Sequence, residues 1–207
     1  MAKYTDPKCR LCRREGTKLY LKGARCLSPK CPIDKKGAQV PGQHGKKRAR
    51  GRLSGFGLQL REKQKAKRTY SVLESQFHGY YDQAIKSQGN TSEVLMQLLE
   101  SRLDNICYRL GFVTSRSLAR QLVTHGNILV NGKKVDVPSF QTKPGMTISL
   151  PEKAAKFDFV APNLNDKNVP AKWLSRKGTE GKIDRMPTSD EIGSEIKANL
   201  IIEYYSR

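Results

Sequence analysis

Four cysteines, Cys9-x2-Cys12-x13-Cys26-x4-Cys31, stand in a stretch that has little else to fold around. From Met1 to about Leu53 no helix or strand period is sustained, and Gly16, Gly23, Pro29, Pro32, Gly37, Pro41, Gly42, Gly45 and Gly51 punctuate the chain. Such a segment cannot build an apolar core alone. Two close Cys pairs can instead offer four thiolates to one tetrahedral ion, whose binding free energy substitutes for a core. The spacing predicts one structural Zn2+ on Cys9, Cys12, Cys26 and Cys31; a [4Fe–4S] cluster uses the same ligand set and is the alternative. With no open coordination position, such a site is structural and not catalytic. The fifth cysteine, Cys107, falls on an apolar helix stripe, and an odd count argues against a disulfide framework.

The same stretch holds most of the charge. Of the net +20, residues 1–70 carry 21 Lys+Arg against 4 Asp+Glu, while residues 71–207 carry 18 against 15. That asymmetry, without an amphipathic apolar face beside it, points to a polyanion and to nucleic acid before membrane. No apolar run approaches the roughly 20 residues that cross a bilayer, and Met1-Ala2-Lys3-Tyr4 begins no signal region, so neither membrane nor export is expected and the expected location is the cytosol.

Beyond the arm, helix formers from Leu58 to Arg68 predict a short, exposed basic helix. Ser71-x-x-Glu74 fits a capping box opening a helix through Phe77, Tyr80, Tyr81, Ala84 and Ile85, with Gly89 as its stop. One helix is predicted from about Ser92 to Leu110, ending at Gly111, and a shorter one from a Thr114 or Ser115 cap to Gly126. Asn131-Gly132 between Ile128-Leu129-Val130 and Val135-Asp136-Val137 signals a β-hairpin, and Met146 to Leu150 follows the Pro144-Gly145 turn as a third strand. Thr188-x-x-Glu191 caps a short helix, and Asn199 to Tyr205 reads as β-prone or buried. The predicted class is α+β: a mainly helical lobe with a metal-stapled N-terminal extension, plus a module of two helices and a small antiparallel sheet. The predicted divisions are an arm over 1–53, a helical lobe over 54–92 completed by 170–207, and the module with its extension over 93–169.

Arg116 and Arg120, four residues apart, project from one helical face in this reading and could straddle a nucleic-acid backbone; Lys133 and Lys134 follow the hairpin tip. A solvated charged face is the alternative. Arg102-Leu103-Asp104, Ser115-Arg-Ser-Leu-Ala-Arg-Gln-Leu-Val123 and Val130-Asn-Gly132 closely resemble the alpha-L RNA-binding module. Pro41-Gly-Gln-His-Gly45, Gly57-Leu-Gln-Leu-Arg-Glu-Lys-Gln-Lys65 and Leu200-Ile-Ile-Glu-Tyr-Tyr-Ser206 extend the resemblance over essentially the whole chain, to the S-four family of bacterial small-subunit ribosomal proteins in its four-cysteine form. The loop Lys46-Lys-Arg-Ala-Arg-Gly-Arg52 departs from that pattern in being longer and more basic.

The resemblance implies a primary binder of small-subunit (16S-type) rRNA that nucleates assembly of the 5′ domain. It implies further a place lining the mRNA entry channel with small-subunit proteins three and five, an influence on decoding fidelity through protein five, and, in some members, repression of their own mRNA. Candidate RNA-contacting residues in the arm are Lys3, Tyr4, Lys8, Arg10, Arg13, Arg14, Lys22, Arg25, Lys30, Gln43, His44, Lys46, Lys47, Arg48, Arg50 and Arg52. On the basic helix they are Arg61, Lys65, Lys67 and Arg68, and in the module Arg116, Ser117, Arg120, Gln121, His125, Asn131, Lys133 and Lys134. Tyr4, Tyr20 and Tyr70 either stack on unpaired bases or pack under the arm. None of His44, His78 and His125 has a nucleophile or carboxylate at a triad-like spacing, so no catalysis and no small-molecule substrate are expected. An RNA-modifying enzyme needs a catalytic domain for which too few residues remain. A zinc-dependent DNA-binding regulator would read its target with the knuckle.

Overall fold

The computed structural model describes residues 4–45, 53–165, 170–192 and 196–207. The chain forms two compact units, Met1–Leu95 with Ser194–Arg207, and Met96–Gly193. Among the described residues no helix is long and apolar enough to cross a membrane.

In the first unit the arm is a set of short helices, α1 (Cys9–Glu15), α2 (Ala24–Leu27) and α3 (Pro32–Lys36). Its apolar content is small: Cys12, Leu19 and Leu21 are buried together, with Leu11 and Ile33 against them. Next comes α4 (Gly55–Thr69), whose N-cap Ser54 accepts a hydrogen bond from the Gly57 N–H at 3.2 Å. Helix α5 (Glu74–Lys86) ends at Ser87, before the predicted glycine stop at Gly89. The predicted exposed basic helix is neither short nor fully exposed, for Gln59, Lys63 and Ala66 of α4 are buried.

The element packed on α4 is α12 (Ala198–Tyr205), formed by the run read as β-prone or buried. Its burial face decides its conformation over its propensity: Ile201 is buried, Tyr204 lies under the Lys63 ammonium at 4.4 Å, and Glu203 accepts from the Gln59 amide at 2.8 Å. Ser71 is not an N-cap. The Ser71 N–H donates to the Arg68 carbonyl and the Val72 N–H to Lys67, the two bonds of a Schellman motif that closes α4, and Ser71 takes the left-handed conformation at φ 54°. Its backbone belongs to the preceding helix, so Leu73 caps α5 without a side-chain bond.

The chain passes into the second unit along α6 (Thr91–Glu100). The predicted helix from Ser92 to Leu110 is broken at Ser101-Arg102, and α7 (Leu103–Arg109) starts anew. A return segment pairs with the break, Leu103 N–H donating to Phe140 O, Asp104 N–H to Pro138 O and Thr142 N–H to Ser101 O. Leu95 and Leu99 of α6, Leu103 and Ile106 of α7 and Leu110 at its end are all buried, so the apolar period reads on across the break. Helices α7 and α8 (Arg116–Thr124) form the expected hairpin, with Ser115 capping α8 through a bond from the Leu118 N–H. Strands β1 (Leu129–Val130) and β2 (Lys133–Lys134) meet at Asn131-Gly132, both at positive φ (48° and 77°) as a type I′ turn requires.

Strand β3 (Thr147–Ser149), then α9 (Glu152–Ala155) and α10 (Ala161–Asn165), lead to β4 (Leu174–Lys177) and β5 (Glu180–Ile183). The sheet is antiparallel, ordered β2-β1-β3-β5-β4, so five strands stand where three were predicted. The segment 170–192, grouped from sequence with the helical lobe, lies in this unit instead, because its hairpin pairs with β3 and buries Trp173, Leu174 and Ile183 in the core of α7 and α8. A last turn, α11 (Ser189–Ile192), has the predicted capping box: the Thr188 N–H donates to the Glu191 carboxylate at 3.1 Å.

Candidate nucleic-acid interface

The four arm cysteines line one small cavity with Lys22, Arg25, Pro32 and Ile33. Cys12, Cys26 and Cys31 are buried and Cys9 is half-buried. The Lys22 N–H donates to Cys26 Sγ at 3.3 Å, and burial pushes the Cys12 thiol up, opposed by a hydrogen bond from the Leu19 backbone. Among the described residues no three His, Cys, Asp or Glu side chains are gathered into a metal-ligand cluster.

Around that cavity the arm turns cations outward: Arg10, Arg14, Lys22, Arg25 and Lys30 are exposed, as is Tyr4, while Lys8 is half-buried. Arg13, also half-buried, donates through Nε to the Gln39 carbonyl at 2.8 Å and ties α1 to the loop after α3. Gln43 and His44 are exposed in the Pro41–Gly45 turn; a side chain at Gly45 would lie 1.8 Å from the Val40 carbonyl oxygen, so only glycine closes it. Lys3, Lys46, Lys47, Arg48, Arg50 and Arg52 lie outside the described residues.

On α4 the predicted contacts are half-buried and already ion-paired. Glu15, whose side chain is buried, accepts from both Arg61 and Arg68 through Oε1, joining the arm to α4. Burial raises the Glu15 carboxyl in spite of Arg68 and Arg61, and its Oε2 lacks a hydrogen-bond partner. Glu74 accepts from Lys63 at 2.6 Å, Lys67 at 2.8 Å and the Tyr205 hydroxyl at 2.7 Å. Burial works against the Glu74 carboxylate, but those three bonds outweigh it and hold the group at about 2. Lys65 pairs with Glu62 at 3.5 Å. Glu15 and Glu74 each serve two of these cations, so each cluster keeps one positive charge in excess.

In the second unit the predicted arginine fork is turned inward. Arg120 is 3% exposed, with its guanidinium 3.8 Å from Asp104. Arg116 donates to Asn105 Oδ1 at 2.8 Å and lies over the Tyr108 ring at 4.5 Å. They complete a buried network that sequence reasoning did not find. Arg102 is bidentate on Asp104 at 3.0 and 2.8 Å, Arg109 is bidentate on Glu100 at 2.9 and 2.7 Å, and the Asn105 amide also donates to Glu100.

What the module leaves outward is Gln121 and His125 at the end of α8, and Asn131, Lys133 and Lys134 at the hairpin, with Ser117 half-buried. The Asn131 amide oxygen accepts from the Thr147 N–H at 2.9 Å, so this side chain seats the turn on β3. The Lys134 stem lies against Gly126, bringing hairpin and helix end to one place.

A helical hairpin followed by an Asn-Gly β-hairpin, with lysines at their common tip, defines an S4-domain protein, and residues 101–148 match the family described as the S4 domain. Residues 3–100 match the ribosomal protein S4/S9 N-terminal domain. The chain is 54% identical to small ribosomal subunit protein uS4A of Alkaliphilus oremlandii over 212 residues, 52% to uS4A of Clostridium botulinum and 51% to uS4 of a Thermoanaerobacter strain, each over 100% of both chains. It belongs to the uS4 family of small ribosomal subunit proteins, a family of structural proteins and not of enzymes.

Proposed function

We propose that this protein is a structural constituent of the small ribosomal subunit in the cytoplasm and binds small-subunit rRNA with two separate basic surfaces. The observation that carries the reading is the outward set of cations on the arm and at the module tip, in a chain whose uS4 relatives match it from end to end. Lysines and arginines on phosphates supply affinity, and selectivity comes from RNA shape. By the same reading it nucleates the 5′ domain, lines the mRNA entry channel with small-subunit proteins three and five, and influences decoding fidelity through protein five.

In the same reading a structural metal belongs to the arm, supported by the four cysteines that line one cavity. Backbone N–H groups of Lys22 and Leu19 serve the Cys26 and Cys12 sulfurs, as outer donors would around bound thiolates. Cys9, Cys12, Cys26 and Cys31 would hold the metal, and it would supply a structural crosslink. In competition between a transcribed small-subunit 5′-domain RNA and duplex DNA of equal length, the RNA is expected to win by orders of magnitude; equal affinity would overturn the assignment.

A further inference from the structure

The first unit holds another cavity, apart from the cysteine site. It measures about 180 Å3. That exceeds the roughly 150 Å3 known to admit a benzene ring, so one planar heterocycle fits. Leu11 and Leu21 of the arm and Val72 beyond α4 give apolar walls, and Tyr4, 39% exposed, lines it as well. Gln64 adds a carboxamide, which offers both a donor and an acceptor. The walls also include Lys67 and Arg68, whose carboxylate partners Glu74 and Glu15 are each shared with another cation, so the rim keeps excess positive charge.

An apolar slot with one aromatic face, one amide and a cationic rim matches a single nucleotide: the base in the slot, its edge on the amide, its phosphate at the rim. We infer that this cavity captures one unpaired, extruded nucleotide of the bound RNA, with Tyr4 stacking on its base and Lys67 and Arg68 facing its phosphate. Resting on the rRNA-binding reading, the inference adds a base-accepting subsite to a surface otherwise built for phosphates. The arm and α4 both line the slot, so the cavity exists only while the arm is seated.

The test uses the full-length protein and a 5′-domain transcript in which uridines are partly replaced by 4-thiouridine, with near-ultraviolet crosslinking mapped to peptides. Crosslinks are expected within residues 4–11 or 71–73. Tyr4→Ala is expected to weaken binding roughly tenfold, the size of one lost base stack, with the salt slope unchanged. Tyr4→Phe should stay within about twofold of wild type, since the face and not the hydroxyl is used. Intact wild-type binding with no crosslink in those peptides would overturn the inference, as would a Tyr4→Phe loss equal to that of Tyr4→Ala. Failure of the wild-type chain to bind the transcript would overturn the rRNA reading beneath it.

Discussion

Arg102, wholly buried and bidentate on Asp104, shows how a basic chain uses some of its cations for itself. Truncating one partner of such a pair leaves an uncompensated buried charge. Arg102→Ala is therefore expected to cost about 3–5 kcal/mol in denaturant unfolding, while Lys133→Ala, at an exposed tip, should fall within about 0.5 kcal/mol of wild type. Glu74 gives a pH signature. Its carboxyl sits at about 2 when folded against an ordinary 4.5, so its stabilisation is complete above about pH 4.5 and is lost as pH falls toward 2. Glu74→Gln is expected to flatten the acid limb of the stability profile in that window, and an unchanged limb would refute the linkage. Residue identity was legible in the sequence; residue direction was not. Arg116 and Arg120 lie four apart as an outward fork would, but helical spacing says only that they share a face, and this face meets Glu100, Asp104 and Asn105.

Elements were legible where backbone chemistry speaks locally. The Asn131-Gly132 hairpin, the Ser115 cap, the Thr188-x-x-Glu191 box and the glycine-closed ends of α7 and α8 all stand where their residues put them. Failures came where a distant partner decides. Ser71 looks like a cap by spacing, yet closes the helix before it; the C-terminal run is helical because α4 receives it; the break at Arg102 needs the returning segment 138–142. The arm is the element with least to hold it, its buried cluster amounting to Cys12, Leu19 and Leu21. If a metal completes it, chelation or replacing Cys9 and Cys12 by Ser should release about one zinc per chain, expose the arm to proteolysis and weaken RNA binding. Unchanged digestion and affinity would remove the metal from the account.

Across the whole molecule the +17 excess of residues 1–70 is not a uniform coat. The α4 arginines and lysines are tied to Glu15, Glu62 and Glu74, while the arm's Arg10, Arg14, Lys22, Arg25 and Lys30 and the module's Lys133 and Lys134 face outward. The central claim is that these outward cations, and not the buried arginines, meet RNA phosphates. It is tested most directly by the salt dependence of binding to the 5′-domain transcript. With roughly ten phosphates neutralised, the log-log slope should be about −7 to −9, and Lys133→Ala with Lys134→Ala together should make it shallower by about 2. Arg120→Ala, if folded, should leave the slope of the wild type. A near-flat slope, or an Arg120→Ala change equal to that of the two lysines, would contradict it.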